Sequence, residues 1–402
     1  MALSTGVDRQ VIIAKESTYG VSPAAGATSR YKDRTEISLN LTRDTFTSAR
    51  ISSTAQTSDM RGGMNSCDLS LSDELSAGSF ELEWAALLRG AWTAGVTVTS
   101  TGIQINATTK KFIRATGSWV TDGFKKGDLI VVSGATNAAN NTAYTIVAIT
   151  ALEITYGVVI GTDTPVNEAA GASITVKVPG KKLSIPIAPA NRTNDSFTIE
   201  QFFSAAGVSE RYVGVKIGGA SVEINPNAYA TCEFTGMGST MLEPGVAQHF
   251  TAPAAAPTTS VLAGNVGAVY FNGVRVAVAT AASFEVNSDL TQAEVVGSRE
   301  APDVFRGRIG ATGEISLYFE NSDVQSIFRN EEDVSLVIAL QGTDGTYMAF
   351  NFPRIRLEGA EKDDSETEGI VQTCSFTALL PTSTSSGTVD QSTIVVYDSS
   401  LV

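Results

Sequence analysis

The sequence predicts a mainly β protein with two tandem antiparallel β-sandwich or barrel domains, each with one short helix, and a small inserted β-domain. Three observations predict this class. The chain has 36 glycines and is rich in Ser, Thr and Val, which favours strands joined by many turns. Segments of alternating polar and apolar residues recur along it. The same order of segments occurs twice, ending in TCEFT at 231–235 and TCSFT at 373–377.

Each copy begins with an alternating segment and continues through a polar stretch to a second one. A helix and a third strand follow, before the closing Cys-x-Phe-Thr strand. The matched strands are ISLN at 37–40 with FEVN at 284–287, LSL at 69–71 with ISL at 315–317, and LSIPIA at 183–188 with VSLVIA at 334–339. The repeated order predicts a duplicated domain, which points towards a symmetric assembly because duplication halves the subunits that close a ring.

The helix of each copy follows the second alternating segment. Residues 73–90 predict the first helix, since Asp73 or Ser76 can cap its start and Gly90 suits its end. Residues 323–330 predict a shorter counterpart with apolar residues on one face. Each helix is expected to cover one face of a sheet.

The polar stretches at 43–66 and 288–312 offer almost no core residues, which predicts two long loops. Both carry arginines together with acids, a composition that suits charge-complementary docking onto a neighbouring molecule. The candidate contact residues are Arg43, Asp44, Arg50, Asp59 and Arg61 in the first loop, and Asp289, Glu294, Arg299, Asp303, Arg306 and Arg308 in the second.

Short alternating segments separated by turns fill 96–180 and have no counterpart in the second copy, so they predict an inserted small β-barrel or sandwich. The Ala/Pro-rich stretch near 251–258 predicts a linker. The predicted parts are a split first domain at 1–95 and 181–250, the insertion at 96–180, a linker at 251–265, a second domain at 266–381, and a C-terminal arm at 382–402. The arm ends in a strand-like segment that can pair with a sheet edge of its own chain or of a neighbour.

Charge and composition bound the function. The formal net charge is −14, which predicts repulsion of nucleic acid, and no apolar run is long enough to span a membrane. The N-terminus has no signal-peptide pattern, so synthesis in a cytoplasm is expected. Cys67, Cys232 and Cys374 are widely spaced and odd in number, which predicts reduced thiols. Cys232 and Cys374 lie in alternating strand patterns, which predicts that they serve as small core residues.

Catalytic and cofactor motifs are missing, so the sequence predicts no enzyme and no cofactor. His249 is the single histidine, and its Gly/Ala/Pro-rich surroundings do not favour a triad. The sequence holds no phosphate-binding glycine motif and no cysteine or histidine set with zinc spacing. The acids between 358 and 368 lack the calcium-loop pattern and predict a solvated acidic loop.

Five segments form a distinctive series of strands and turns along the chain: TYGVSP at 18–23, FTIEQFF at 197–203, RYVGVKI at 211–217, ASVEI at 220–224 and CEFTGMG at 232–238. In these segments the chain resembles the major tail tube proteins of long, flexible-tailed bacteriophages. The resemblance covers most of the chain apart from the insertion, and the second copy departs from it, with FTA at 376–378 where the first has FTGMG. The insertion, with GSWVTDGFKKGD at 117–128, resembles small β modules grafted onto phage virion proteins and is expected on an outer surface.

This resemblance implies a structural virion protein that polymerises into the tail tube, a conduit for genome delivery. Strands join sideways around a ring, loops reach along the axis to the next ring, and two domains per chain imply trimeric pseudo-hexameric rings stacked head-to-tail, with a hexamer of chains as the alternative. Tape measure protein and DNA would pass through an acidic lumen without specific binding, and tail terminator and distal tail proteins would contact the tube ends. The expected location is the virion tail, assembled in the bacterial host cytoplasm. The alternative function is an adhesin or decoration protein that binds a host surface through the insertion.

Overall fold

Strands paired antiparallel dominate the chain, and its helices are few and short, which confirms the predicted mainly β class. The computed structural model describes residues 4–51, 53–54, 56–158, 164–276, 278–363, 369–382 and 387–401. Outside them lie 1–3 of the first predicted domain, 364–368 of the acidic cluster, and 383–386 and 402 of the arm. The helices are α1 (Glu81–Leu88), α2 (Trp119–Asp122) and α3 (Asp323–Arg329). The strands are β1 (Arg9–Lys15), β2 (Ser29–Tyr31), β3 (Glu36–Thr47), β4 (Met60–Glu74), β5 (Thr93–Ala94), β6 (Thr97–Ser100), β7 (Ile103–Asn106), β8 (Lys111–Arg114), β9 (Leu129–Ser133), β10 (Ala143–Ile149), β11 (Glu153–Val158), β12 (Ile174–Lys177), β13 (Lys181–Ser184), β14 (Phe197–Phe203), β15 (Val208–Ile224), β16 (Thr231–Gly238), β17 (Thr240–Met241), β18 (Gly267–Phe271), β19 (Val274–Val276), β20 (Ala279–Gln292), β21 (Val304–Tyr318), β22 (Val334–Gln341), β23 (Tyr347–Leu357), β24 (Glu361–Asp363), β25 (Val371–Ala378) and β26 (Val395–Asp398).

The same order of paired strands occurs in the two halves of the chain. The first strand set runs β2-β1-β14-β15-β16-β4-β3. The second strand set runs β19-β18-β22-β23-β25-β21-β20. Leu71 lies opposite Phe234 in the first set, and Gly313 lies opposite Phe376 in the second. The two Cys-x-Phe-Thr segments therefore occupy the same place in both sets.

Two strand matches made from the sequence are wrong. Leu71 and Gly313 hold equivalent places, so 69–71 corresponds to 311–313 and the match with 315–317 is four residues out of register. The other match assigns a segment to the wrong strand. The segment 183–188 was matched with 334–339, but the place of β22 in the first set is taken by β14, and β13 pairs instead with β5 and β26. Proline has no N–H for a strand ladder, and Pro186 follows the end of β13 closely. The alternation of LSIPIA therefore does not continue as a strand.

The predicted long loops are largely strand. β3 continues to Thr47 and β4 begins at Met60, while β20 continues to Gln292 and β21 begins at Val304. Each pair forms a long hairpin, and only 48–59 and 293–303 connect the strands. Hydrogen bonds between the two strands pair the backbone N–H and C=O groups, although the polar side chains there have no core to contact. The prediction of loops over the whole of 43–66 and 288–312 was wrong for this reason.

The first helix is shorter than predicted. Residues 73–74 belong to β4, and α1 begins at Glu81 and ends with Arg89 in the left-handed conformation, at φ 55°. Gly90 has a packing role, since a Cβ there would lie 2.5 Å from the carbonyl oxygen of Ser184. The second helix spans Asp323–Arg329, as the sequence predicts.

A single apolar core lies between the sheet layers and crosses from one strand set to the other. Trp84 on α1 is fully buried, and its ring centroid lies 5.1 Å from Phe234 and 5.7 Å from Phe350. Phe350 in turn packs 4.8 Å from Phe284. The two strand sets therefore share one core.

The insertion forms its own seven-stranded sheet, in the order β6-β12-β9-β10-β11-β8-β7. Its core, with Phe112, Trp119 and Tyr144, continues onto residues of β18, β22, β23 and β26, including Tyr270 and Tyr397. Residues of β22 alternate between the shared core and the insertion, so β22 is covered on both faces. The insertion is thus packed against the second strand set.

The C-terminal arm pairs within its own chain, since β26 lies between β13 and β23. A buried polar cluster holds it there. The Lys182 ammonium lies 3.1 Å from Asp390 and 3.5 Å from Asp128, and the Tyr397 hydroxyl donates to Asp128 over 2.8 Å. The cluster therefore ties the arm to the insertion and to β13.

This cluster predicts a pH dependence of stability. Asp128 is fully buried, and burial raises its pKa to about 6. Because this folded-state pKa exceeds the ordinary value, the folded protein binds more protons than the unfolded chain between about pH 4 and 6. The free energy of unfolding should therefore fall as pH rises through this window, by up to about 3 kcal/mol from this group. Urea unfolding at pH 4.5 and 7 should show a smaller fall for Asp128→Asn, and equal falls would contradict the assignment.

Candidate assembly surfaces

The strands β3, β4, β16, β15, β20, β21 and β25 form one continuous sheet with an apolar face on the core and a polar face outside. Side chains alternate between the two faces along each strand. Acids recur on the polar sheet face, with Ser and Thr between them, and they include Glu36, Asp68, Glu223, Glu233, Glu285, Glu314 and, on the end of the neighbouring β23, Glu358.

The acids of the polar sheet face are spaced by hydroxyl residues. Glu233 lies opposite Ser72 and Ser221, and Glu314 lies opposite Ser283 and Ser375. Like charges directly opposite each other destabilise a sheet, so this spacing lets the face be acidic at small cost. Arg356 shares the face but is paired with Asp333 at 2.8 Å. The face as a whole is hydrophilic and negative.

The two strand sets join through one strand pair. The C-terminal half of β15 pairs with β20, from Gly219 opposite Asn287 to Ile224 opposite Ala282. This joint makes the polar sheet face continuous between the sets. Among the described residues, β3 pairs only with β4, and residues 356–358 pair only with β25. No further strand of the described residues therefore covers these two edges, while the Ile37 and Leu39 carbonyls of β3 accept hydrogen bonds from the side chains of Arg9 and Gln201.

The tip of the β20–β21 hairpin docks on the first strand set. Lys216 is buried in β15, and its ammonium lies 2.6 Å from the carboxylate of Asp303. Asn65 donates its backbone N–H to the Arg299 carbonyl over 2.8 Å, and Ser239 donates its hydroxyl to the Ala301 carbonyl over 3.2 Å. Burial lowers the pKa of Lys216, and the neighbouring carboxylate of Asp303 opposes this shift.

Several candidate contact residues are thus engaged within the chain. Asp303 pairs with Lys216, and the Arg306 guanidinium donates to the carbonyls of Asp195 and Ala86. In the first hairpin, Arg43 donates to the Asn65 side chain over 2.8 Å, and Arg61 lies 3.3 Å from Asp59. The exposed candidates are Arg43, Asp44, Arg50, Asp59, Arg61, Asp289, Glu294, Arg299 and Arg308. Their role in contacts between molecules stays a prediction.

Sequence reasoning missed Lys216. Its signal was a charged residue within the apolar strand sequence VGVKI, where a buried cation needs a partner. It also missed the apolar residues on the first hairpin. Phe46 is 61% exposed, Ile51 98% and Met60 63%. Large apolar side chains grouped on one exposed tip are typical of a contact surface.

The residues that could carry chemistry serve the fold instead. His249 lies 2.9 Å from the Pro23 carbonyl and 3.2 Å from Arg211, which fixes the segment after β17 against the N-terminal region. The three cysteines are buried, and burial raises the pKa of Cys67 to about 12 and of Cys374 to about 11. No group of His, Cys, Asp and Glu among the described residues could hold a metal ion. None of the described helices is long and apolar enough to cross a membrane.

Sheet edges without a further strand and exposed apolar residues on a hairpin tip are features that proteins use to bind neighbouring molecules. The chain belongs to the phage tail tube protein family, whose model matches residues 6–378. It is therefore a structural component of the virion tail, in a family that is non-catalytic. A comparison with curated protein sequences finds no match.

Proposed function

We propose that this chain polymerises into the tail tube of a long, flexible-tailed phage, with three chains in each ring and rings stacked head-to-tail. The tube is the conduit through which the genome leaves the virion. The observation that carries this proposal is the continuous polar sheet face, shared by two strand sets of the same order. Two such sets per chain give six per ring when three chains close it, with six chains as the alternative.

The joint between the strand sets supplies the pattern for the joint between chains. Within the chain, β20 of the second set pairs with the end of β15 in the first. By the same geometry, β3 of one chain pairs with residues 356–360 of its neighbour. The equivalent positions place Leu39 opposite Leu357, as Val286 lies opposite Ala220. A closed ring of such joints pairs both of these strand edges, which removes their tendency to aggregate.

The polar sheet face lines the lumen in this arrangement, and the insertion lies on the outer surface. The lumen then carries Glu223, Glu233, Glu285 and Glu314 in each chain, and Arg356 on the same face is paired with Asp333. An acidic wall repels phosphate, so DNA passes without binding. Tape measure protein passes through the same lumen, and tail terminator and distal tail proteins bind the tube ends.

Charge reversal in the lumen tests this function. Phage carrying Glu223→Lys, Glu285→Lys and Glu314→Lys should still build tails, because these side chains contact mainly Ser and Thr on the polar sheet face. Genome release should slow at least tenfold at low salt and recover as salt rises, because Lys contacts to phosphate are screened.

The matched control reverses three exposed acids elsewhere, with Glu243→Lys, Glu320→Lys and Glu332→Lys. This control should release DNA at the wild-type rate. Release is followed by dye entry or by loss of capsid DNA after triggering. Normal release from intact tails of the lumen variant would rule out the lumenal position of this face.

A further inference from the structure

The two long hairpins match from a shared bulge to their closing pairs, and this bulge lies two residues nearer the Cys-x-Phe-Thr pairing in the second hairpin than in the first. Each has the same bulge, in which Asp44 faces Gly63 in one and Asp289 faces Gly307 in the other, and a Cβ on either glycine would lie 3.3 Å from the aspartate Cβ. The closing pairs beyond the bulge are Thr47 with Met60 and Gln292 with Val304. Asp59 and Met60 therefore correspond to Asp303 and Val304.

The corresponding residues differ in what they contact. Val304 is 1% exposed and Asp303 pairs with Lys216, because the second hairpin lies on the first strand set. Met60 is 63% exposed, and the Asp59 side chain is 58% exposed beside Arg61. An apolar residue and an acid that are engaged in one hairpin are thus open to solvent in the other.

The place equivalent to Lys216 in the second strand set holds another cation, Arg354. Lys216 lies opposite Met237, which is three residues after Phe234 of the first Cys-x-Phe-Thr segment. The Arg354 carbonyl accepts from the N–H of Leu379, which is three residues after Phe376 of the second segment. Asp333 is shared by Arg354 and Arg356, at 2.8 Å from each. One carboxylate between two guanidiniums leaves a net positive charge.

An exposed apolar residue lies beside this cation. The Arg354 guanidinium donates to the Leu380 carbonyl over 3.0 Å, and Leu380 is 52% exposed. A charge and an apolar contact are therefore present together, as they are where Asp303 and Val304 dock on the first set. The surface suits an acid followed by an apolar residue, which is the order of Asp59 and Met60.

We propose that Asp59 of one chain pairs with Arg354 of the neighbouring chain in the ring, and that Met60 is buried there against Leu380. This contact rests on the proposed tube and adds the residues that close the joint between chains. The occupant is a second copy of this chain, because its first hairpin carries the matching charge and apolar residue. The contact is lateral, whereas the sequence-based expectation places this hairpin between rings.

The test is a charge exchange at the proposed pair. Asp59→Arg and Arg354→Asp should each reduce the polymerised fraction of purified protein at least tenfold by sedimentation. Asp59→Arg places a second cation beside Arg354, and Arg354→Asp places a second anion beside Asp59. Arg356 stays paired with Asp333 in both variants. The double variant should recover most of the assembly, whereas Glu243→Arg, a charge change at an exposed residue, should assemble normally. Circular dichroism verifies that each variant is folded.

A cross-link separates this contact from the tube itself. Met60→Cys with Leu380→Cys should give disulfide-linked chains on a non-reducing gel, whereas each single variant should not, because the native cysteines are buried. Tubes that form normally with Asp59→Arg, or failure of the exchange to restore assembly, would overturn the contact and leave the tube proposal standing. A wild-type protein that forms neither rings nor tubes would overturn both.

Discussion

Replacement of residues 48–59 by Asn-Gly should abolish ring and tube formation and leave a folded, soluble chain. Thr47 and Met60 are already paired, so a two-residue turn closes the hairpin without a change of register. The described residues of the removed segment are almost all exposed, so its loss should cost the monomer less than about 1 kcal/mol. It takes away Asp59, which the proposed contact between chains needs. Sedimentation velocity and negative-stain microscopy measure the result.

The matched control shortens a different connection. Residues 204–207 join Phe203 to Val208, which are also paired, so Asn-Gly can replace them in the same way. This variant should assemble as wild type does. Normal tubes from the 48–59 variant would remove the first hairpin from the assembly contacts, and a misfolded chain would show that the tip has a structural role.

Trp84→Ala should lower the free energy of unfolding by about 3–5 kcal/mol, the usual range for removal of a large buried aromatic residue. Trp84 is 0% exposed, and its ring packs against both Phe234 and Phe350. Its loss opens a hole where the core passes from one strand set to the other. Denaturant unfolding at pH 7 measures the change.

Trp84→Phe is the informative companion. The indole N–H of Trp84 is buried without a hydrogen-bond partner among the described residues. Phenylalanine removes this unpaired donor, which offsets part of the lost volume. The cost should therefore fall below about 1.5 kcal/mol, as for other moderate changes of core volume. Equal losses for Ala and Phe would contradict the position of Trp84 at the centre of a shared core.

The strands that close each strand set could be predicted from the sequence because they alternate strictly. ISLN, FEVN and the two Cys-x-Phe-Thr segments each bury every second residue against one core. The second helix could also be predicted, since Asp323 precedes a short apolar face. The acidic lumen was a hypothesis without residues, because alternation does not say which sheet a face belongs to.

Other features depend on partners distant in sequence. The polar ends of the hairpins are strands only because the two strands of each hairpin hydrogen-bond to each other. Their side chains show no apolar alternation that would predict a strand. The first helix was predicted too long because Leu75 and Phe80 are core residues outside a helix. The docking of the insertion on the second strand set is likewise a contact between separate alternating segments. Periodicity within a segment does not specify it.

The most direct test is a cryo-electron microscopy map of the wild-type tube that resolves side chains. We predict three chains in each ring, β3 of each chain paired with residues 356–360 of the next, and Glu223, Glu285 and Glu314 on the lumen wall. Six chains in each ring, or a polar sheet face turned away from the lumen, would contradict the account.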